Sequence, residues 1–167
     1  MSAAVTDAAS TSSDERRWVL AAHAENRPGA LTTIAAAFSS RGVNFDATVA
    51  TVDRGADGEA GTGNIVVLFS ATERRARQLG RTVDRLELVR DVEVRPAEDA
   101  SVRATGVVRT DGPTVYEPPA SAGVTWAGDG GSHRPMLIEG SLRSVERVLT
   151  DARACGATAL LGVVVFI

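Results

Sequence analysis

Seven residues, Glu25-Asn26-Arg27-Pro28-Gly29-Ala30-Leu31, have the types and spacing to bind a small anion. They join an apolar run, Trp18 to Ala24, to an amphipathic one, Leu31 to Ser40. Pro28 suits the first turn of a helix, where a missing N–H costs nothing. Gly29 removes the side chain where a ligand would approach the backbone. The first N–H groups of a helix lack internal partners and carry partial positive charge. A small carboxylate could therefore sit on the N–H groups of Gly29, Ala30 and Leu31. An ordinary tight strand-to-helix turn would use the same residues, since Pro-Gly is common turn chemistry.

Other reactive side chains are sparse. The histidines are His23 and His133, and Cys155 is the single cysteine, too few for a zinc site of usual composition. His133 with Asp129, Glu117 or Glu139 could form an acid–base pair, but nothing in the sequence fixes their geometry. His23 reads as a ligand or base, or as a strand histidine that points outward or meets a neighbouring carbonyl. Cys155, at a helix end among apolar residues, reads as a buried inert thiol. All 18 basic residues are arginine. Lysine Schiff-base chemistry, pyridoxal phosphate attachment and a Walker-type phosphate loop are thereby excluded. Gly58 to Gly63 and Gly128 to Gly131 then read as turns. There is no nucleophile elbow, metal motif or dinucleotide fingerprint. The chain reads as a binding and regulatory protein, with no catalytic residue, metal or cofactor expected.

At 167 residues it can hold one domain or two small ones. Apolar content is 44% but aromatic content only 4%, so the core must be mostly Ala, Val, Leu and Ile. The net charge of −3 argues against nucleic-acid binding. No apolar run is long enough to span a membrane; Leu160 to Ile167 reads as a buried strand. Residues 1–16 lack the basic start and apolar stretch of a signal peptide and read as a disordered tail. A lone cysteine precludes an internal disulfide and suits a cytoplasmic protein.

The elements that must hold the loop follow from periodicity. Trp18 to Ala24 is apolar on both faces and reads as a central strand. A helix is expected from Pro28 to Arg41, with Leu31, Ile34, Ala35 and Phe38 on one face and Gly42 as terminator. The second strand, Val43 to Val52, should carry Val43, Phe45, Ala47 and Val49 on one side. A polar hairpin loop spans Asp53 to Thr62, and Gly63 to Ser70 is a third strand. Ala71 to Leu86 reads as a helix buried through Ala76, Leu79, Val83 and Leu86. Its other face holds Arg74, Arg75, Arg77, Arg81 and Arg85, a phosphate or partner site or else a solvated face supported by Glu73, Asp84 and Glu87. Leu88 to Arg95 is a fourth strand, stopped by Pro96. The order βαββαβ predicts a ferredoxin-like α+β domain over residues 17–96.

Within this frame the residues resemble an ACT domain, the amino-acid-binding regulatory module. The resemblance rests on Glu25 to Leu31, the Phe38-centred helix, and Arg41-Gly42-Val43-Asn44-Phe45-Asp46. It is strongest to the ACT domains of the acetolactate synthase small subunit and of phosphoglycerate dehydrogenase. It implies paired copies, with an amino acid between the first loop of one and the second strand of the other. Carried over by position, Asn26, Pro28, Gly29, Ala30 and Leu31 form the loop wall, and Asn44 with Phe45 faces it. Backbone N–H groups would take the carboxylate, and the Asn26 and Asn44 carbonyls the ammonium. The two asparagines also suit plain turn and strand-start chemistry. The implied role is an amino-acid-sensing homodimer or the regulatory subunit of a metabolic enzyme, without nucleic-acid or membrane partners. A small enzyme using a cavity between two halves, or a structural dimerisation module, are the alternatives.

Residues 97–167 look like a weak repeat of the first half. The span from Ser70 to Asp91-Val92-Glu93-Val94 equals that from Ser141 to Gly162-Val163-Val164-Val165. Strands are expected at Ser101 to Arg109, Met136 to Glu139 and Thr158 to Ile167. A helix should bury Leu142, Val145, Val148, Leu149 and Ala152. This makes a truncated ACT-like ββαβ unit with an irregular loop at 110–134. Tyr116 and Trp126 lie in that loop, to cap a ligand or partner or to plug the sheet's open face.

Overall fold

The computed structural model describes residues 15–54, 60–110, 116–131 and 134–166. The first unit runs β1 (Arg16–Glu25), α1 (Ala30–Ser39), β2 (Phe45–Arg54), β3 (Ala60–Ala71), α2 (Glu73–Asp84) and β4 (Val89–Pro96). The second runs β5 (Val102–Arg109), a 3-10 turn (Ala120–Ala122), β6 (Val124–Ala127), β7 (Met136–Ser141), α3 (Leu142–Ala154) and β8 (Thr158–Phe166). The antiparallel sheets are ordered β2-β3-β1-β4 and β6-β7-β5-β8. Strand for strand the two orders coincide, so the second unit duplicates the first. The irregular stretch supplies β6, which completes the second sheet. The truncation falls on the first helix, reduced there to three residues.

In the first unit Trp18, Leu20, Ala22 and Ala24 alternate inward beneath the two helices. Phe38 of α1 is the hub, with its ring edge-on to Phe45 at 4.8 Å and to Phe69 at 5.1 Å. Thr72 caps α2 by accepting from the Arg75 N–H, and Ser141 caps α3 by accepting from Ser144. α2 buries Ala76, Leu79 and Val83, while Leu86 lies beyond its end and only partly buried. The apolar face expected for α3 is buried throughout.

Other expectations for the first half change at α1, at β2 and at the hairpin loop expected over Asp53 to Thr62, which β2 enters as far as Arg54 and β3 from Ala60. α1 begins at Ala30, with Gly29 as its cap, so Pro28 stands outside the helix. Its buried face is Ala30, Ile34, Ala37 and Phe38, and Leu31 is 40% exposed. In β2 the register shifts between Phe45 and Ala47. Phe45 therefore packs on Phe38, whereas Ala47 turns to the opposite sheet face. A strict alternation could not foresee that bulge.

The two units share apolar surface. Val19, Val66 and Leu68, on the sheet face away from α1 and α2, join the core of the second unit. β8 lies against β2 and β3. Arg17 bridges the seam, 2.7 Å from Glu146 on α3 and 3.7 Å from Asp46. The link between the units is a fixed turn. The Ala97 N–H donates to the Arg17 carbonyl, and Asp99 accepts from both the N–H and the hydroxyl of Ser101. Those Ser101 bonds, with Arg95 nearby, hold the Asp99 carboxyl below its ordinary pKa.

Candidate functional site

The β1–α1 loop makes one wall of a cavity of about 200 Å³. Ala24 to Arg27 and Gly29 to Thr32 face Ala50, Thr51 and Val52 of β2, with Gly63 and Ile65 of β3 below. Two glycines shape it. Gly29 holds φ +90°, a left-handed conformation that side-chain-bearing residues resist. Gly63 lies so close to β2 that a Cβ there would be 2.3 Å from the Thr51 carbonyl oxygen. Glycine thus lets the two strands close beneath the loop.

The loop is tied at both ends. The Glu25 N–H donates to the Leu88 carbonyl and the Asn26 N–H to that of Gly61. The Ala30 N–H donates to the Arg27 carbonyl, so it is not free for a ligand. The N–H groups of Gly29, Leu31 and Thr32 have no acceptor among the described residues. Arg27 also lines the cavity. Its guanidinium lies 3.8 Å from Glu25 and 4.0 Å from Glu87, and Arg90 is 3.9 Å from Glu25. Such long, exposed pairs are loose, which leaves Arg27 able to turn to an incoming carboxylate. Leu31 and Val52, 40% and 45% exposed, give the mouth an apolar character.

The structure divides the seven expected site residues. Asn26, Gly29, Ala30 and Leu31 line the cavity. Pro28 does not line it. Asn44 and Phe45 sit at the other end of β2, about 25 Å from Val52 at strand rise. Asn44 is exposed and Phe45 belongs to the Phe38 cluster. The sequence reading gave Arg27 no contact of its own and missed Thr32, the β2 residues 50–52 and Gly63. Only the β2–β3 register brings those strand residues to the loop, and the one local sign was a glycine opening the third strand.

No protein-family model matches the sequence, and no curated protein sequence matches it significantly. Solved structures do match. The regulatory subunit of aspartate kinase from Thermus thermophilus aligns over 85% of this chain and 92% of its own, at 14% identity and a TM-score of 0.47. The small subunit of acetolactate synthase from Thermotoga maritima aligns over 91% of this chain and 98% of its own, at 14% identity and a TM-score of 0.61. The fold is a duplicated ACT fold. At this identity the likeness fixes the architecture and leaves ligand and partner to be argued from the residues.

Elsewhere in the first unit, His23 faces away from the helices, its Nδ1 3.0 Å from Asn64 Oδ1. The arginine face of α2 is solvated: Glu73 pairs with Arg77 and, at 3.2 Å, with Arg16. In the second unit Tyr116 is 4% exposed and part of the core. Its hydroxyl donates to the Val148 carbonyl and to Asp151 Oδ2. Burial, and then the Asp151 carboxylate, push its phenol well above the ordinary value. Trp126 stays 37% exposed on edge strand β6. Cys155 is exposed, contrary to the expected buried thiol, because the chain turns away at Gly156 with φ +84°. His133 lies outside the described residues. Among those residues no three His, Cys, Asp or Glu side chains group as a metal site requires, and no helix is long and apolar enough to cross a membrane.

Proposed function

We propose that the loop cavity binds a small α-amino acid and that the chain works as a ligand-sensing regulatory subunit of a metabolic enzyme. The observation that carries this is the coincidence, in one cavity, of the Arg27 guanidinium with the N–H groups of Leu31 and Thr32, which have no acceptor among the described residues. Together they offer a carboxylate backbone donors, a helix N-terminus and a full positive charge. Glu25 and the Asn26 carbonyl suit an ammonium group, and Leu31, Ala50 and Val52 suit an aliphatic side chain. Asn44 would reach this cavity only from a second copy of the chain, so a homodimer is part of the proposal. Ligand held between two copies would favour one pairing geometry and so bias a bound enzyme. The match to an acetolactate synthase small subunit over 91% of this chain supports the regulatory reading at the level of architecture.

Thermal unfolding against the standard amino acids, each at millimolar concentration, tests it. Ligand at about 100 times its dissociation constant adds roughly 2.7 kcal/mol, which moves the midpoint by several degrees. One or a few amino acids should do so. No shift with any of them would contradict the proposal.

A further inference from the structure

A crevice between α3 and the 3-10 turn of the second unit plays no part in the account above. Pro119, Ser121 and Ala122 form one side and Arg147, Val148 and Asp151 the other, enclosing about 260 Å³. Its origin is the shortened first helix, which leaves the flank of α3 open. Arg147 and Asp151 are four residues apart on the helix, the spacing at which opposite charges ordinarily pair. Among the described residues they make no ion pair. Arg147 Nη2 donates instead to the Ala122 carbonyl at 3.4 Å, and Asp151 Oδ2 accepts from the Tyr116 hydroxyl at 3.0 Å. Each charge is anchored by a neutral group, so a full positive and a full negative charge stand at two points of one crevice. Both side chains are exposed, while Val148 and Ala122 between them are buried apolar surface.

We infer that this crevice is a second ligand site, for a zwitterion of the α-amino-acid class with a short aliphatic side chain. The ligand carboxylate meets Arg147, its ammonium meets Asp151, and its side chain lies against Pro119 and Ala122. No internal ion pair has to break for it to bind, and both new contacts are charge-assisted. The volume lies just below the range of about 300–1,000 Å³ typical for drug-sized ligands, which suits a single small metabolite. The site is separate from the loop cavity and stands without it.

The test is a titration of the isotope-labelled full chain with L-alanine, L-valine and L-leucine, read at backbone amide NMR signals. The signals of Ala120 to Gly123 and Arg147 to Asp151 should shift saturably. Propionate and ethylamine, each carrying one of the two charges, should bind at least about tenfold more weakly. Arg147→Gln should abolish these shifts and leave the signals of residues 26–32 as they are in wild type. Shifts confined to residues 26–32 would overturn the second site and leave the loop cavity standing. Crevice shifts that persist in Arg147→Gln, or that ethylamine alone reproduces, would overturn the zwitterion assignment. No shift at either place would overturn both proposals.

Discussion

Tyr116 is the only tyrosine and ties the segment before the 3-10 turn to α3. Because its phenol ionises less readily in the folded chain than in the unfolded one, the two states differ in proton binding at high pH. Its contribution is full below the ordinary tyrosine pKa of about 10 and declines as pH rises above that, where the unfolded chain loses its proton first. Tyr116→Phe should cost about 1–3 kcal/mol at neutral pH, from the hydroxyl's lost partners. It should also flatten the fall in stability above pH 10. Denaturant titrations at neutral and alkaline pH check this, and phenolate absorbance follows the group directly. An equally steep alkaline loss in the variant would contradict it.

At the scale of elements, what was legible in the sequence depended on who covers each face. α3 showed its buried face plainly, since Leu142, Val145, Val148, Leu149 and Ala152 all contact one core. α1 did not. Leu31 has helical spacing from Ile34 and Phe38, yet it faces a cavity, and Ala37 takes the buried place. β6 escaped notice because it is four residues long and mostly exposed, so it carries no alternation to read. The Phe45–Ala47 bulge lies in the pairing with β3, not in the composition of β2. The strand-to-helix turn was legible because Pro28-Gly29 marks a helix start locally. Its opposing wall was not, because residues 50–52 and 63 arrive through long-range register. Gly29 fixes how α1 leaves that loop. A Cβ there meets nothing within 4 Å, so the cost of Gly29→Ala is purely that of its left-handed backbone. That change should destabilise the chain by about 1–2 kcal/mol in equilibrium unfolding. An unchanged stability would mean that the loop relaxes to another conformation.

At the scale of the whole molecule, the seam between the units decides how the chain behaves. Val19, Val66 and Leu68 leave the first sheet to complete the second core, and Arg17 reaches Glu146 across it. Apolar side chains of both units pack together along that seam. Leu68 is 1% exposed. Leu68→Ala should cost about 2–5 kcal/mol and still leave one cooperative transition, with both units melting together. Two separated transitions would mean that the units fold independently.

The central claim is that the loop cavity takes an amino-acid carboxylate on Leu31, Thr32 and Arg27. The most direct measurement is a titration followed at the backbone amide signals of Leu31 and Thr32, using the amino acid that raises the thermal midpoint most. Wild type and Arg27→Gln are compared. The account predicts saturable shifts at both amides, with binding weakened about tenfold or more in the variant. Stationary signals at Leu31 and Thr32, or equal affinity in the two proteins, would contradict it.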